Sequence, residues 1–219
     1  MKIRSFSELV DHLDKELTWR KRELTTMRFL LLQSRSHEQE IMLRAGICLL
    51  YAHWEGFVKS AGTGYVNYVA LKGLKYCDLS PSMVALGMRG KLRAAEATNR
   101  VTIHTEVTSF LMSEMRENAA IPYDDAINAR DNLNSEVLRE ILHLLSLDYR
   151  PYETKKVLLD ERLLASRNAI SHGQWLTIDG EDFDHLHHEV LDLLNAFRND
   201  VENAAQMNHF RRDSGARSR

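Results

Sequence analysis

Apolar residues return every three or four positions along most of this chain, and that spacing predicts one helix after another. From Ser5 to about Gln33, Phe6, Leu9, Leu13, Leu17, Leu24, Met27 and Leu31 form one stripe with a single gap at Arg20. Ser5 or Ser7 stands where a cap belongs. A second, stronger stripe runs through Leu43, Ile47, Leu50, Trp54, Phe57, Val58, Ala61 and Tyr65 over about six turns. Beside it lies a row of mostly small residues, Gly46, His53, Gly56, Ser60 and Gly64. Each glycine costs about 1 kcal/mol of helix propensity relative to alanine, so the row predicts a closely packed neighbour, expected to be the helix that carries the chemistry described below.

Residues 73–80 read as a connector, with Ser80 as a cap and Pro81 at the first helical position of a helix reaching about Thr98. A weaker helix is predicted over about Thr105 to Asn118, and residues 99–134 are the least periodic part of the chain. Two more helices are expected over Ser135–Leu147 and, after Pro151, over Tyr152–Ser171. The turn "HGQWLTIDGED" precedes a last amphipathic helix through Phe183, Leu186, Val190, Leu193, Leu194, Phe197 and Val201. Strand-like alternation and internal repeats are lacking. The expectation is an all-α, single-domain bundle of long antiparallel helices over residues 1–207, with a flexible basic tail over 208–219.

Composition agrees with helix: only 3 prolines and 10 glycines in 219 residues, with 44% hydrophobic and 27% charged residues. A net charge of −2 argues against a protein that coats nucleic acid over a broad face. Any RNA contact is then expected in a local groove. Cys48 and Cys77 make neither a disulfide framework nor a metal spacing, which suits a reducing compartment. The longest apolar run is about six residues, Ile47 to Ala52, against about 20 needed to cross a bilayer. The N-terminus reaches Glu8 and Asp11 too soon for a signal peptide. A cytoplasmic protein without membrane partners is expected.

The candidate chemistry lies in "LLASRNAISHGQW", where an apolar helix ends in Arg167, Asn168 and then His172 and Gly173. Gly173 suits a left-handed C-cap, which puts His172 at the last turn. Five residues separate Arg167 from His172, about 140° around an ideal helix, so the two converge only if the helix end unwinds or a second copy supplies a partner pair. Arginine matches phosphate oxygens with a planar fork. Histidine moves protons near neutral pH. Together they are a sufficient minimum for RNA cleavage without a metal, because the 2′-hydroxyl of the substrate is its own nucleophile.

Two stretches, "SRNAISHG" and "LLYAHWEGFVKSAGTGYVNYV", resemble the HEPN superfamily (higher eukaryotes and prokaryotes nucleotide-binding domains), and specifically a bacterial group marked by a Trp-Glu-Gly-Phe run, here Trp54, Glu55, Gly56 and Phe57 with Lys59 beyond. The resemblance implies a HEPN-like bundle acting as a homodimeric, cofactor-free endoribonuclease, a toxin-like effector in bacterial defence or stress response. It assigns phosphate binding to Arg167, proton transfer to His172, and supporting roles to Asn168 and Glu55; a supporting role for His53, from its place beside Glu55, is left open by the residue pattern. RNA is the implied partner, alongside an antitoxin or defence-system protein. Some HEPN toxins carry a tyrosine two residues after the histidine, modified by a partner nucleotidyltransferase; Gln174 stands there in this chain and argues against that control.

Other residues offer alternatives. In "DHLHHEV", His185 and Glu189 share a helix face, as do His188 and Asp192, yet no third ligand follows, so a solvated face and no metal site are expected. Lys15, Arg20, Lys21, Arg22 and Arg28, with Arg89, Lys91 and Arg93, are a possible source of basic charge for a groove. The rival function is a non-catalytic module that binds nucleotide or RNA, or serves as an antitoxin or adaptor subunit.

Overall fold

Ser5, rather than Ser7, starts the first helix. Its hydroxyl accepts the Glu8 N–H at 3.1 Å while the Glu8 carboxylate accepts the Ser5 N–H at 3.2 Å, a reciprocal capping box. The computed structural model describes residues 2–124, 126–128 and 132–212. Helix α1 spans Phe6–Gln33 and α2 spans Ser36–Ala70. Only Ser34 and Arg35 separate them, so they fold back as an antiparallel pair. Helix α8, Gly180–Gln206, packs against both. Trp54 and Phe57 of α2 meet Phe197 of α8 edge-on, with centroids 6.1 and 6.3 Å apart. Arg28 of α1 grips Asp184 of α8 through two hydrogen bonds of 2.7 Å. These three helices hold the centre of the core.

The shorter helices pack around that trio. Helix α3 spans Pro81–Glu96, α4 Val101–Ser113 and α5 Ser135–Leu144. The start of α4 lies at Val101 rather than at 105, and the chain leaves it through a single 3-10 turn, Glu114–Arg116. No named strand occurs among the described residues, and the all-α expectation holds.

The helix expected over 152–171 is not continuous. A four-residue α6, Arg150–Glu153, and a turn lead to a π-helical stretch, Leu158–Ala165, and then to α7, Ser166–Ser171. The cause is legible in the apolar spacing. Leu158, Leu159, Leu163 and Leu164 are all buried, and they pair at intervals of five. On an α-helix such pairs point about 140° apart. Bonding from i to i+5 stacks them on one face. Asp160 accepts both the backbone N–H and the hydroxyl of Ser135 at 2.6 Å, tying the π segment to the start of α5.

The small-residue row of α2 faces α1 and α8, not the helix carrying Arg167. A Cβ on Gly46 would come within 2.5 Å of the Phe183 ring, one on Gly64 within 2.6 Å of His12, and one on Gly56 within 3.2 Å of Arg20.

The boundary expected at residue 207 also moves. Asn208 takes a left-handed conformation, φ 58°, and the His209 N–H donates to Ala204 at 2.9 Å, so the chain turns back on α8. Phe210 is thereby fully buried, edge-on to Tyr65 and Tyr68 at 6.4 and 6.1 Å. The Ser80 N–H donates to Phe210 at 2.7 Å and the Arg212 N–H to Asp78 at 3.0 Å. Residues 208–212 are therefore part of the folded body; the rest of the expected tail, 213–219, lies outside the described residues.

Candidate functional site

Arg44, Cys48, Tyr51, Glu55 and Lys59 recur along α2 at intervals of three or four and so share one face. Helix α7 lies against it. The Arg167 guanidinium carbon sits 4.1 Å from the centroid of the Tyr51 ring, a cation–π contact. Its Nη1 donates to Asn168 Oδ1 at 2.8 Å, and its Nη2 stands 3.7 Å from Glu55 Oε2. The Arg167 side chain keeps 22% of its surface in solvent, so an anion can reach it.

Glu55 is bound from several sides. Lys59 pairs with it at 2.5 Å, one helical turn on, and the Tyr51 hydroxyl also bonds to it. That hydroxyl accepts the Leu133 N–H at 2.6 Å. Burial, and then the hydrogen bond to Glu55, push the Tyr51 pKa up to about 12, which keeps the phenol neutral and donating. The result is a ladder from Lys59 through Glu55 and Tyr51 to Arg167.

His172 occupies the C-cap of α7, exposed, its N–H donating to Asn168 at 3.0 Å. Gly173 follows at φ 72°. Its N–H donates to Ile170 at 3.0 Å and that of Gln174 to Ala169 at 2.9 Å, the paired bonds of a Schellman ending. His172 therefore sits at a fixed helix end, tied to Asn168 through its backbone, while the Asn168 side chain braces Arg167. Cys48 lies under the same end, bonded by the Ser171 hydroxyl, and burial pushes its thiol pKa up. Both Cys48 and Cys77 are free thiols.

Of the residues singled out in the sequence, Arg167, Asn168 and Glu55 come together, with His172 on the adjoining turn. His53 does not join them. Two residues from Glu55, it points about 160° away around α2. It is buried against α1, its Nε2 2.9 Å from Glu23 and its ring edge-on to Trp19 at 5.1 Å. Burial pushes its pKa down. The Trp-Glu-Gly-Phe run thus divides its work: Trp54 and Phe57 fill the core, Gly56 leaves room for Arg20, and Glu55 faces Arg167.

The histidine cluster of α8 disperses in the same way. His188 Nδ1 bonds to the Asp184 carbonyl at 2.7 Å, Glu189 pairs with Lys155 at 2.5 Å, and His185 lies 3.5 Å from Arg162. His187 is buried, a correction to the solvated face expected there. No three potential ligands converge among the described residues. Three of the basic residues of α1 are engaged by neighbouring side chains. Arg20 is buried and paired with Glu16 at 2.5 Å, Arg28 is held by Asp184, and Lys21 donates to Asn195 at 2.9 Å. Arg89 and Arg93 border a separate cleft of about 640 Å³ with Arg139, Glu136 and Glu140.

Sequence reasoning missed Tyr51 and Arg44. Stepping back from Glu55 by four and then by seven more would have found both.

Comparison with known families gives a match to the MAE_28990-like HEPN description over residues 9–210. Comparisons with curated proteins and with solved structures give no match. No helix among the described residues is long and apolar enough to cross a membrane.

Proposed function

The chain belongs to the MAE_28990-like HEPN family, and from that premise we propose that it is an endoribonuclease working without a metal. The observation that carries the reading is the fixed Arg167 guanidinium, over the Tyr51 ring at 4.1 Å and braced by Asn168 at 2.8 Å, five residues before an exposed His172. A side chain held this firmly spends little freedom in meeting a ligand. Its fork suits two oxygens of a phosphodiester.

The reaction is an internal transesterification. His172 takes the proton of the 2′-hydroxyl as the 2′-oxygen attacks phosphorus. Arg167 opposes the charge that grows on the phosphoryl oxygens of the pentacoordinate state. The bond to the 5′-oxygen breaks, and that oxygen receives a proton from an imidazolium. The products are a 2′,3′-cyclic phosphate and a 5′-hydroxyl. Base and acid are required at once, so a second subunit's His172 completes the pair, and the proposed working form is a homodimer. Glu55, Tyr51 and Asn168 act through Arg167 as positioning residues. The proposed setting is a toxin-like role in bacterial defence or stress, restrained by a partner protein.

End-group analysis tests this reading. RNA incubated with the protein in EDTA yields 2′,3′-cyclic phosphate and 5′-hydroxyl ends, and DNA of the same sequence stays intact. Binding of RNA without any cleavage identifies the non-catalytic module instead.

A further inference from the structure

Trp175 is the only tryptophan among the described residues with most of its surface in water: 71% is exposed, against 42% for Trp19 and none for Trp54. It lies two residues past Gly173, in the turn joining α7 to α8. Leu176 and Ile178 are partly covered, whereas Trp175 and Thr177 face solvent. The indole stands beside the Arg44 guanidinium. The Arg44 guanidinium carbon lies 5.4 Å from its ring centroid, and Arg44 Nη2 donates to the Gln174 carbonyl at 3.1 Å. No carboxylate pairs with Arg44 among the described residues, and its Nε is buried without a hydrogen-bond partner. An exposed indole beside a cation without a carboxylate partner among the described residues suits a ligand that has both a flat aromatic face and a negative charge.

Arg44 stands on the same α2 face as Tyr51, seven residues earlier, about 10 Å along the helix. That distance corresponds to about three stacked nucleotides. We propose that Trp175 and Arg44 form a nucleotide subsite for single-stranded RNA, one base stacking on the open face of the Trp175 indole and a flanking phosphate meeting Arg44. The subsite rests on the reading of the Arg167 site as an RNA site. It orients the strand so that a phosphodiester reaches Arg167, and it is indifferent to sequence because every base has a face to stack.

The test is binding of a fluorescein-labelled, single-stranded oligoribonucleotide of about eight nucleotides to full-length His172→Ala protein, read by anisotropy, by quenching of tryptophan emission and by light scattering. Trp175→Ala weakens binding about fivefold or more and removes most of the quench, while Trp175→Phe restores most of the affinity. Arg44→Gln weakens binding and lowers the salt dependence by about one counter-ion. Equal affinity with and without Trp175, or no RNA binding at all, overturns the subsite. So does a Trp175→Ala protein that falls from dimer to monomer, which makes the indole a contact between two copies of the chain. If the unsubstituted protein leaves RNA uncut while the Trp175-dependent binding persists, the nuclease reading fails and the subsite stands. If it cuts RNA while Trp175 proves irrelevant, only the subsite fails.

Discussion

The Arg167 guanidinium lies over the Tyr51 ring, 4.1 Å from its centroid, so the phosphate-binding candidate on α7 is aimed by an aromatic side chain on α2. A contact of this kind contributes about 0.5–2 kcal/mol. Tyr51→Leu is expected to lower kcat about 2- to 30-fold, with a smaller change in KM. Tyr51→Phe keeps the ring, loses the bonds to Glu55 and Leu133, and recovers much of the rate. Steady-state kinetics on a fluorogenic RNA separates the two; a Phe variant as poor as Leu shows that the hydroxyl does the positioning.

The glycines of α2 and α3 separate packing from propensity. Gly46→Ala puts a methyl 2.5 Å from the Phe183 ring in the core and is expected to cost about 1–3 kcal/mol. A Cβ at Gly90 meets nothing within 4 Å, and Gly90→Ala is expected to gain about 0.5–1 kcal/mol. Thermal melts check both signs, at roughly 2–4 °C per kcal/mol for a chain of this size. A tolerated Gly46→Ala means that α8 sits further from α2 than described.

Much of this architecture can be read from residue spacing, and its exceptions have identifiable causes. Ser5 with Glu8, Pro81 and Gly173 mark ends through local chemistry, and local chemistry is what a single sequence displays. The leucine pairs five apart at 158–164 also carry their signal, but only for a reader who allows a π-helix; with an α period assumed, they pass as part of a continuous helix. His53 and Glu55 show the other limit. Nothing in their order says which of them faces α7, because that depends on how α1 and α8 share the remaining faces of α2. Phe210 lies in a polar stretch, and its burial follows from the αL turn at Asn208 and the tyrosines of a helix far away in sequence.

Those tyrosines give the next expectation. Phe210→Ala empties a fully buried ring site against Tyr65 and Tyr68 and is expected to cost about 3–5 kcal/mol. Chemical denaturation checks it. A loss under 1 kcal/mol would return residues 208–212 to the status of a tail.

His187 makes stability depend on pH. It is buried between α1 and α8, and burial holds its pKa below the usual 6.5. The folded protein keeps the ring neutral while the unfolded chain takes up a proton as pH falls below 6.5, so stability is lost on acidification and is fully present above that value. His53, also lowered by burial, acts in the same sense. His187→Leu is expected to show a smaller fall in Tm than the parent between about pH 7 and about pH 5.5. Equal slopes in the two proteins would show that His187 does not titrate differently on folding.

The most direct test of the central claim is the rate of RNA cleavage in EDTA by three proteins of matched melting temperature: the parent, His172→Ala and Arg167→Lys. Loss of a general acid or base lowers rates by about 10²–10⁴, and His172→Ala is expected to fall in that range. Arg167→Lys keeps the charge and loses the two-pronged geometry, and it is expected to be nearly as poor. Because His172 is exposed at a helix end and Arg167 retains part of its surface in water, both variants are expected to melt close to the parent. A parent that cuts RNA in EDTA while both folded variants are severely impaired is the predicted result. Undiminished cleavage by His172→Ala, or cleavage by the parent that EDTA abolishes, would contradict the account.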